Sequence, residues 1–215
     1  MDPLKQIKAV TPVMVMAFAA TTAILSLVIF LGIENGIELD HFTQDPSAIM
    51  DAPFYLGFFS YVGILFWCAA AALCFFTRAL ISNDSEEDNT QRQFLLFSGL
   101  ITCLFLLDDL FLLHEVVFPV YFFIPEVGVY LIYSNAIVFY MVLFRNVLLN
   151  SEYLILGLSF FMIGTSQFVD MIPMPIPEDS FLEDAVKLFG VVSWLTYYSR
   201  YCRGIVRKLI LDPTS

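Results

Sequence analysis

Residues 94–117 read FLLFSGLITCLFLLDDLFLLHEVV. The first fourteen positions carry no charge and do not alternate polar with apolar, so they describe a helix in hydrocarbon rather than a strand of a barrel. The same stretch then places two adjacent carboxylates, Asp108 and Asp109, inside the apolar run and closes with His114 and Glu115. It therefore fixes the fold class and marks the first place to look for chemistry.

Five other stretches have the length needed to cross about 30 Å of hydrocarbon at about 1.5 Å per residue. The full set is approximately 11–33, 53–80, 94–117, 127–148, 153–172 and 181–206. Helix punctuation falls at their borders: Thr11-Pro12, Asp51 before Pro53, Pro125, Ser151 and Pro173. The first run follows Lys5 and Lys8 and contains Ala17-Phe18-Ala19, features shared with signal peptides, but it continues to Ile33 and reads as an uncleaved span. The expected fold is all-α, a six-helix transmembrane bundle forming a single integral membrane domain over 1–215.

Composition agrees. Of 215 residues, 59% are hydrophobic and 14% charged, with 23 Phe and 10 Tyr, and the mean hydropathy is +0.80. Soluble domains carry roughly 25% charged residues. A net charge of −11 repels phosphate and excludes nucleic acid as a partner. The four cysteines, Cys68, Cys74, Cys103 and Cys202, lie within spans without C-x-x-C spacing, and read as small apolar residues rather than a disulfide framework or thiolate metal site.

Charge asymmetry sets an expected orientation. Lys5, Lys8, Arg78, Arg92, Arg145, Arg200, Arg203, Arg207 and Lys208 fall on one side, and Lys187 alone on the other. Both termini are thus expected in the cytoplasm, with a bacterial plasma membrane as the default location. Fourteen of the 21 acids collect at the opposite, outer end, giving an acidic exoplasmic face. The outer loop 34–52 has the length of a lid, and the polar loop 82–90 is expected to be a solvated connector.

Ionisable groups within a span cost about 2.5–3.5 kcal/mol each on insertion scales and are functional candidates. On a continuous helix, Asp108 and Glu115 would fall within roughly 20° of one another, with Asp109 and His114 on either flank. Asp170 ends the fifth span; Glu183, Asp184 and Lys187 open the sixth. Structural roles exist for some of these. Ser180-Phe181-Leu182-Glu183 has capping-box spacing, Asp184 suits a first turn, and Lys187 can pair with Glu183 or Asp184 along its own helix. Adjacent Asp108 and Asp109 have no capping role and repel when both are ionised, so they call for a cation, a proton or a partner such as Lys187.

Three functional readings follow. In the first, Asp108, Asp109, His114 and Asp170 bind a divalent metal, zinc if His takes part and calcium if oxygen alone does. Asp109, Glu115 and Lys187 would then supply acid–base catalysis and Glu183 and Asp184 would support them, in a hydrolase acting on a lipid or amphipathic substrate. In the second, the embedded carboxylates move cations or protons. In the third, the chain is an accessory subunit packed by its phenylalanines against itself or a membrane-complex partner. Glu183, Lys187 and Gly190 also resemble the Schiff-base helix of microbial rhodopsins. That resemblance implies a retinal on Lys187 and a counterion at Asp108 or Asp109.

Overall fold

The computed structural model describes residues 3–38, 40–44, 46–53, 55–82, 85–171 and 179–211, with side chains excluded at 3–6, 9, 170, 171, 179 and 180. All regular structure among these residues is helical. The chain divides into two compact units, 1–56 and 57–215.

The first unit holds α1 (Pro3–Asn35) and two single-turn helices, α2 (Asp40–Thr43) and α3 (Pro46–Ile49). The sequence placed an N-cap at Thr11, but α1 runs through it with Pro12 inside. Thr11 instead donates its hydroxyl to the Ile7 carbonyl at 2.7 Å, one turn back, where the ring of Pro12 removes a donor from the ladder nearby.

The second unit contains α4 (Phe58–Leu80), α5 (Glu86–Phe111), a π-helical turn (Leu113–Val117), α6 (Phe118–Tyr121), α7 (Glu126–Leu143), α8 (Arg145–Leu149), α9 (Tyr153–Met171) and α10 (Asp179–Leu211). Helix α4 begins at Phe58 rather than near Pro53, because Gly57 adopts φ 71° and turns the chain into the helix. Helix α5 begins eight residues before the apolar run. Ser85 caps it, accepting the Asp88 amide at 3.1 Å, and Glu86, Glu87 and Asp88 occupy the first turn, where the helix dipole favours anions. Much of the expected connector is thus helix. Pro125 opens α7 as anticipated, whereas Pro173 lies outside the described residues.

Helix α10 packs on α9 and α4, and α4 packs on α5. Close approach of α9 and α10 depends on Gly190: a Cβ there would lie 2.7 Å from Ile163 Cγ1 and 3.0 Å from the Ile163 nitrogen. Ser159 Oγ donates to the Gly190 carbonyl across this contact at 2.7 Å. At the centre Trp67, Phe105, Phe160 and Trp194 pack ring against ring, with Trp67 and Trp194 5.5 Å apart at 72°.

Polarity in this unit is inverted relative to a water-soluble bundle. Ser98, Thr102, Ser159 and Ser166 are fully buried, while Leu65, Phe76, Phe139 and Leu154 are exposed. In hydrocarbon, polar side chains face other helices and apolar ones face lipid. Four described helices, within 10–35, 58–80, 86–111 and 126–143, are long and apolar enough to cross a membrane, and 153–169 is a shorter apolar helix. The protein fits an integral membrane helical bundle.

Candidate functional site

The site forms where α5 ends. Leu112 adopts a left-handed backbone, φ 50° and ψ 49°, and its amide bonds back to the Asp108 carbonyl. This conformation costs a branched residue roughly 1–2 kcal/mol, and it stops α5 one turn after Asp108. The following π-helical turn swings His114 back over the end of the helix. Asp108 Oδ1 accepts the His114 backbone N–H at 3.0 Å, and Asp108 Oδ2 lies 2.6 Å from His114 Nδ1. The side-by-side stripe of Asp108 and Glu115 expected from a continuous helix is therefore not formed; the break at Leu112 replaces it with a hairpin-like contact between Asp108 and His114.

Both groups are deeply enclosed, Asp108 at 7% and His114 at 3% exposure. Tyr133 of α7 donates its hydroxyl to Asp108 Oδ1 at 2.9 Å. The other imidazole nitrogen, Nε2, faces Glu115 Oε1 at 3.4 Å, and the Glu115 side chain is half exposed. Glu115, His114 and Asp108 consequently form a carboxylate–imidazole–carboxylate line from the surface to an embedded acid.

Asp109 turns the other way. Its Oδ1 lies 2.7 Å from Lys187 Nζ on α10, and its Oδ2 accepts Trp67 Nε1–H of α4 at 2.7 Å. Lys187 thus pairs between helices and not only along its own helix. Adjacent carboxylates are reconciled by division: Asp108 takes an imidazole and a phenol, Asp109 an ammonium and an indole.

Glu183 and Asp184 line the same small pocket, about 90 Å³, together with Asp108, Asp109, Glu115 and Lys187. Helix α10 already includes Asp179 and so starts before the expected cap position; the side chain of Ser180 lies outside those described. Asp170 belongs to α9, outside the residues whose side chains are described. Among the described residues, no group of three or more His, Cys, Asp or Glu side chains is arranged to hold a metal ion. Asp108, Asp109 and His114 have protein partners, so an ion would have to displace them.

Two cavities flank the polar groups. One of about 420 Å³ lies between α7 and α9, with Asp108, Asp109 and Lys187 in its wall. Another, of about 520 Å³, lies near the opposite end of the unit, where Glu152 and Arg200 form an ion pair. The Arg200 guanidinium holds the Glu152 carboxyl below its ordinary range.

Between the two ends are buried polar side chains that the sequence analysis did not single out. Trp194 Nε1 donates to Thr102 Oγ1 at 2.9 Å. Farther along, Tyr140 shares hydrogen bonds with Ser98 at 2.8 Å and with Tyr198 at 3.1 Å. Tyr197 meets Ser151 at 2.8 Å, and both line the larger cavity. Part of their signal in the sequence is spacing: Ser98 and Thr102, four residues apart, share one face of α5, and Lys187, Trp194 and Tyr198, at seven and four, share one face of α10, whereas Asp108 lies about 120° round α5 from Thr102.

Fold and site together define an all-helical, membrane-type bundle with two embedded carboxylate pairs at one end and a file of buried hydroxyls behind them. By sequence, the chain belongs to the family described as a domain of unknown function (DUF8692), which matches residues 13–201. Comparison with curated proteins and with solved structures gives no match.

Proposed function

We propose that the protein moves protons across a membrane, taking them from the exoplasmic side through Glu115 and His114 to Asp108. The reading includes six spans, with α9 and α10 as the fifth and sixth, and cytoplasmic termini; nine of ten basic residues on one side support that orientation.

The observation that carries it is the file of buried polar side chains. From Asp108 to Thr102 is about 9 Å along α5, and from Thr102 to Ser98 about 6 Å. Each level is hydrogen-bonded between elements: Asp108 with Tyr133 and His114, Thr102 with Trp194, Ser98 with Tyr140 and Tyr140 in turn with Tyr198, Ser151 with Tyr197. Hydroxyls both donate and accept, which a relay requires. The indole of Trp194 only donates, so it orients Thr102 and carries no proton itself. Steps between levels need rotation of a hydroxyl or an intervening water, which makes the path slow and gated rather than open.

His114 suits the entry step. With one nitrogen toward Glu115 and the other toward Asp108, an imidazole can accept a proton at Nε2 and release one at Nδ1. The Asp109–Lys187 pair fixes the charge beside Asp108 and joins α5 to α10. Divalent metal binding is a second reading, favoured by the small pocket that Asp108, Asp109, His114 and Glu115 line together, and it requires an ion to displace the partners these groups already have.

The test is proton flux in liposomes carrying an entrapped pH indicator, with a potassium diffusion potential as the driving force. Flux at least ten-fold above protein-free liposomes is expected, and Asp108→Asn should remove most of it. Flux equal to that of empty liposomes would overturn the reading; in that case stoichiometric zinc in the purified protein would favour the second.

A further inference from the structure

The cavity of about 420 Å³ between α7 and α9 touches the proton path only at Asp108 and Tyr133, and the rest of its volume lies beside that path. Its size lies in the range of small-molecule sites. The walls are aromatic and aliphatic: Trp67, Phe105, Tyr130 and Tyr133 on one side, Phe160 and Phe168 on the other. Val138 and Phe168 stand at its rim with 58% and 63% exposure, so it opens sideways, toward lipid in a membrane, rather than toward water.

One corner is charged. Asp108, Asp109 and Lys187 reach the cavity; Lys187 is paired with Asp109 and His114 with Asp108, so the surplus of acids comes from the groups just beyond them. Directly beyond them Glu115, Glu183 and Asp184 line the small acidic pocket. An anionic head would be repelled by this surplus of acids, and a neutral acyl chain would gain nothing from it. A cation meets carboxylates and the negative faces of several aromatic rings, the combination that holds organic cations elsewhere.

We propose that this cavity binds a lipid-soluble organic cation, its apolar body between α7 and α9 and its positive head turned toward the acidic corner at Asp108 and Asp109, whose hydrogen bonds stay in place. The site deepens the chemistry of the outer carboxylates but needs no proton flux, so binding and transport can fail separately.

Tetraphenylphosphonium and tetraphenylborate, alike in shape and opposite in charge, are the probes. Equilibrium binding to the full chain in liposomes, corrected for lipid-only partition, should give one saturable site for the phosphonium and none for the borate. Gly164 lines the cavity, and a Cβ added there would meet no atom within 4 Å. Gly164→Phe should therefore fill the cavity without disturbing the backbone and weaken phosphonium binding at least ten-fold. Ser134→Phe fills it from the opposite wall if the first variant fails to fold. Equal binding of the two ions, or parental affinity in a folded Gly164→Phe protein, would overturn the proposal; the ion comparison needs no variant.

Discussion

Replacing Lys187 by Met removes the only ammonium within reach of Asp109 in the described ion pairs. At 2.7 Å and an effective dielectric of 20, the Coulomb energy is about 6 kcal/mol, most of it offset by desolvation of the two charges. Loss of one partner leaves the other buried and uncompensated, which typically costs 3–5 kcal/mol. Lys187 keeps 24% side-chain exposure and Asp109 10%, so the lower end, about 3 kcal/mol, is expected for Lys187→Met. Adding Asp109→Asn removes the stranded charge yet keeps an oxygen for Trp67 Nε1. The double variant should recover to within about 1 kcal/mol of the parent, about 2 kcal/mol more stable than Lys187→Met alone. Unfolding in mixed dodecyl maltoside–SDS micelles, followed by far-ultraviolet circular dichroism, measures both. A Lys187→Met cost below about 0.5 kcal/mol, or a double variant no more stable than the single, would refute a buried, energetically coupled pair.

Other perturbations test separate parts of the structure. Gly190→Ala should destabilise by about 2 kcal/mol despite its better helix propensity, because the added methyl overlaps Ile163; the same micelle titration measures it. At Leu112, φ 50°, substitution by Gly should be neutral or stabilising by up to about 1 kcal/mol, and Val should destabilise by at least that much. Glu152→Gln should lower the thermal midpoint near neutral pH. Because Arg200 lowers the folded-state pKa of Glu152, its contribution is present above the ordinary carboxyl range and fades as pH falls through the lowered value, so parent and variant melting curves should converge in acid.

The sequence made the all-helical class and the embedded carboxylates legible, since apolar runs and buried charge are properties of single segments. The bend at Leu112 was not legible: Leu is a good helix former, and only the tertiary demand of Asp108 for His114 and Tyr133 accounts for its left-handed backbone. The same break invalidated the helical-wheel placement of Glu115 beside Asp108. Lys187 illustrates the limit of local reasoning, because Glu183 and Asp184 on its own helix and Asp108 and Asp109 on another were all eligible partners, and only the packing of the helices selects Asp109. Ser85 did carry a readable signal, Ser-x-x-Asp before a helix, which the run of acidic residues obscured. The buried hydroxyls were hard to weigh for a different reason: Ser, Thr and Tyr are permissible anywhere in a span, and only packing shows that Ser98, Tyr140 and Tyr198 converge.

Tyr140 offers the most direct test of the central claim, that protons pass along this buried file. It is 1% exposed, and Tyr140→Phe deletes one oxygen while retaining the ring that stacks on Phe94. Proton flux in liposomes should fall at least ten-fold while circular dichroism and the thermal midpoint remain near those of the parent. Parental flux through a folded Tyr140→Phe protein would contradict the account.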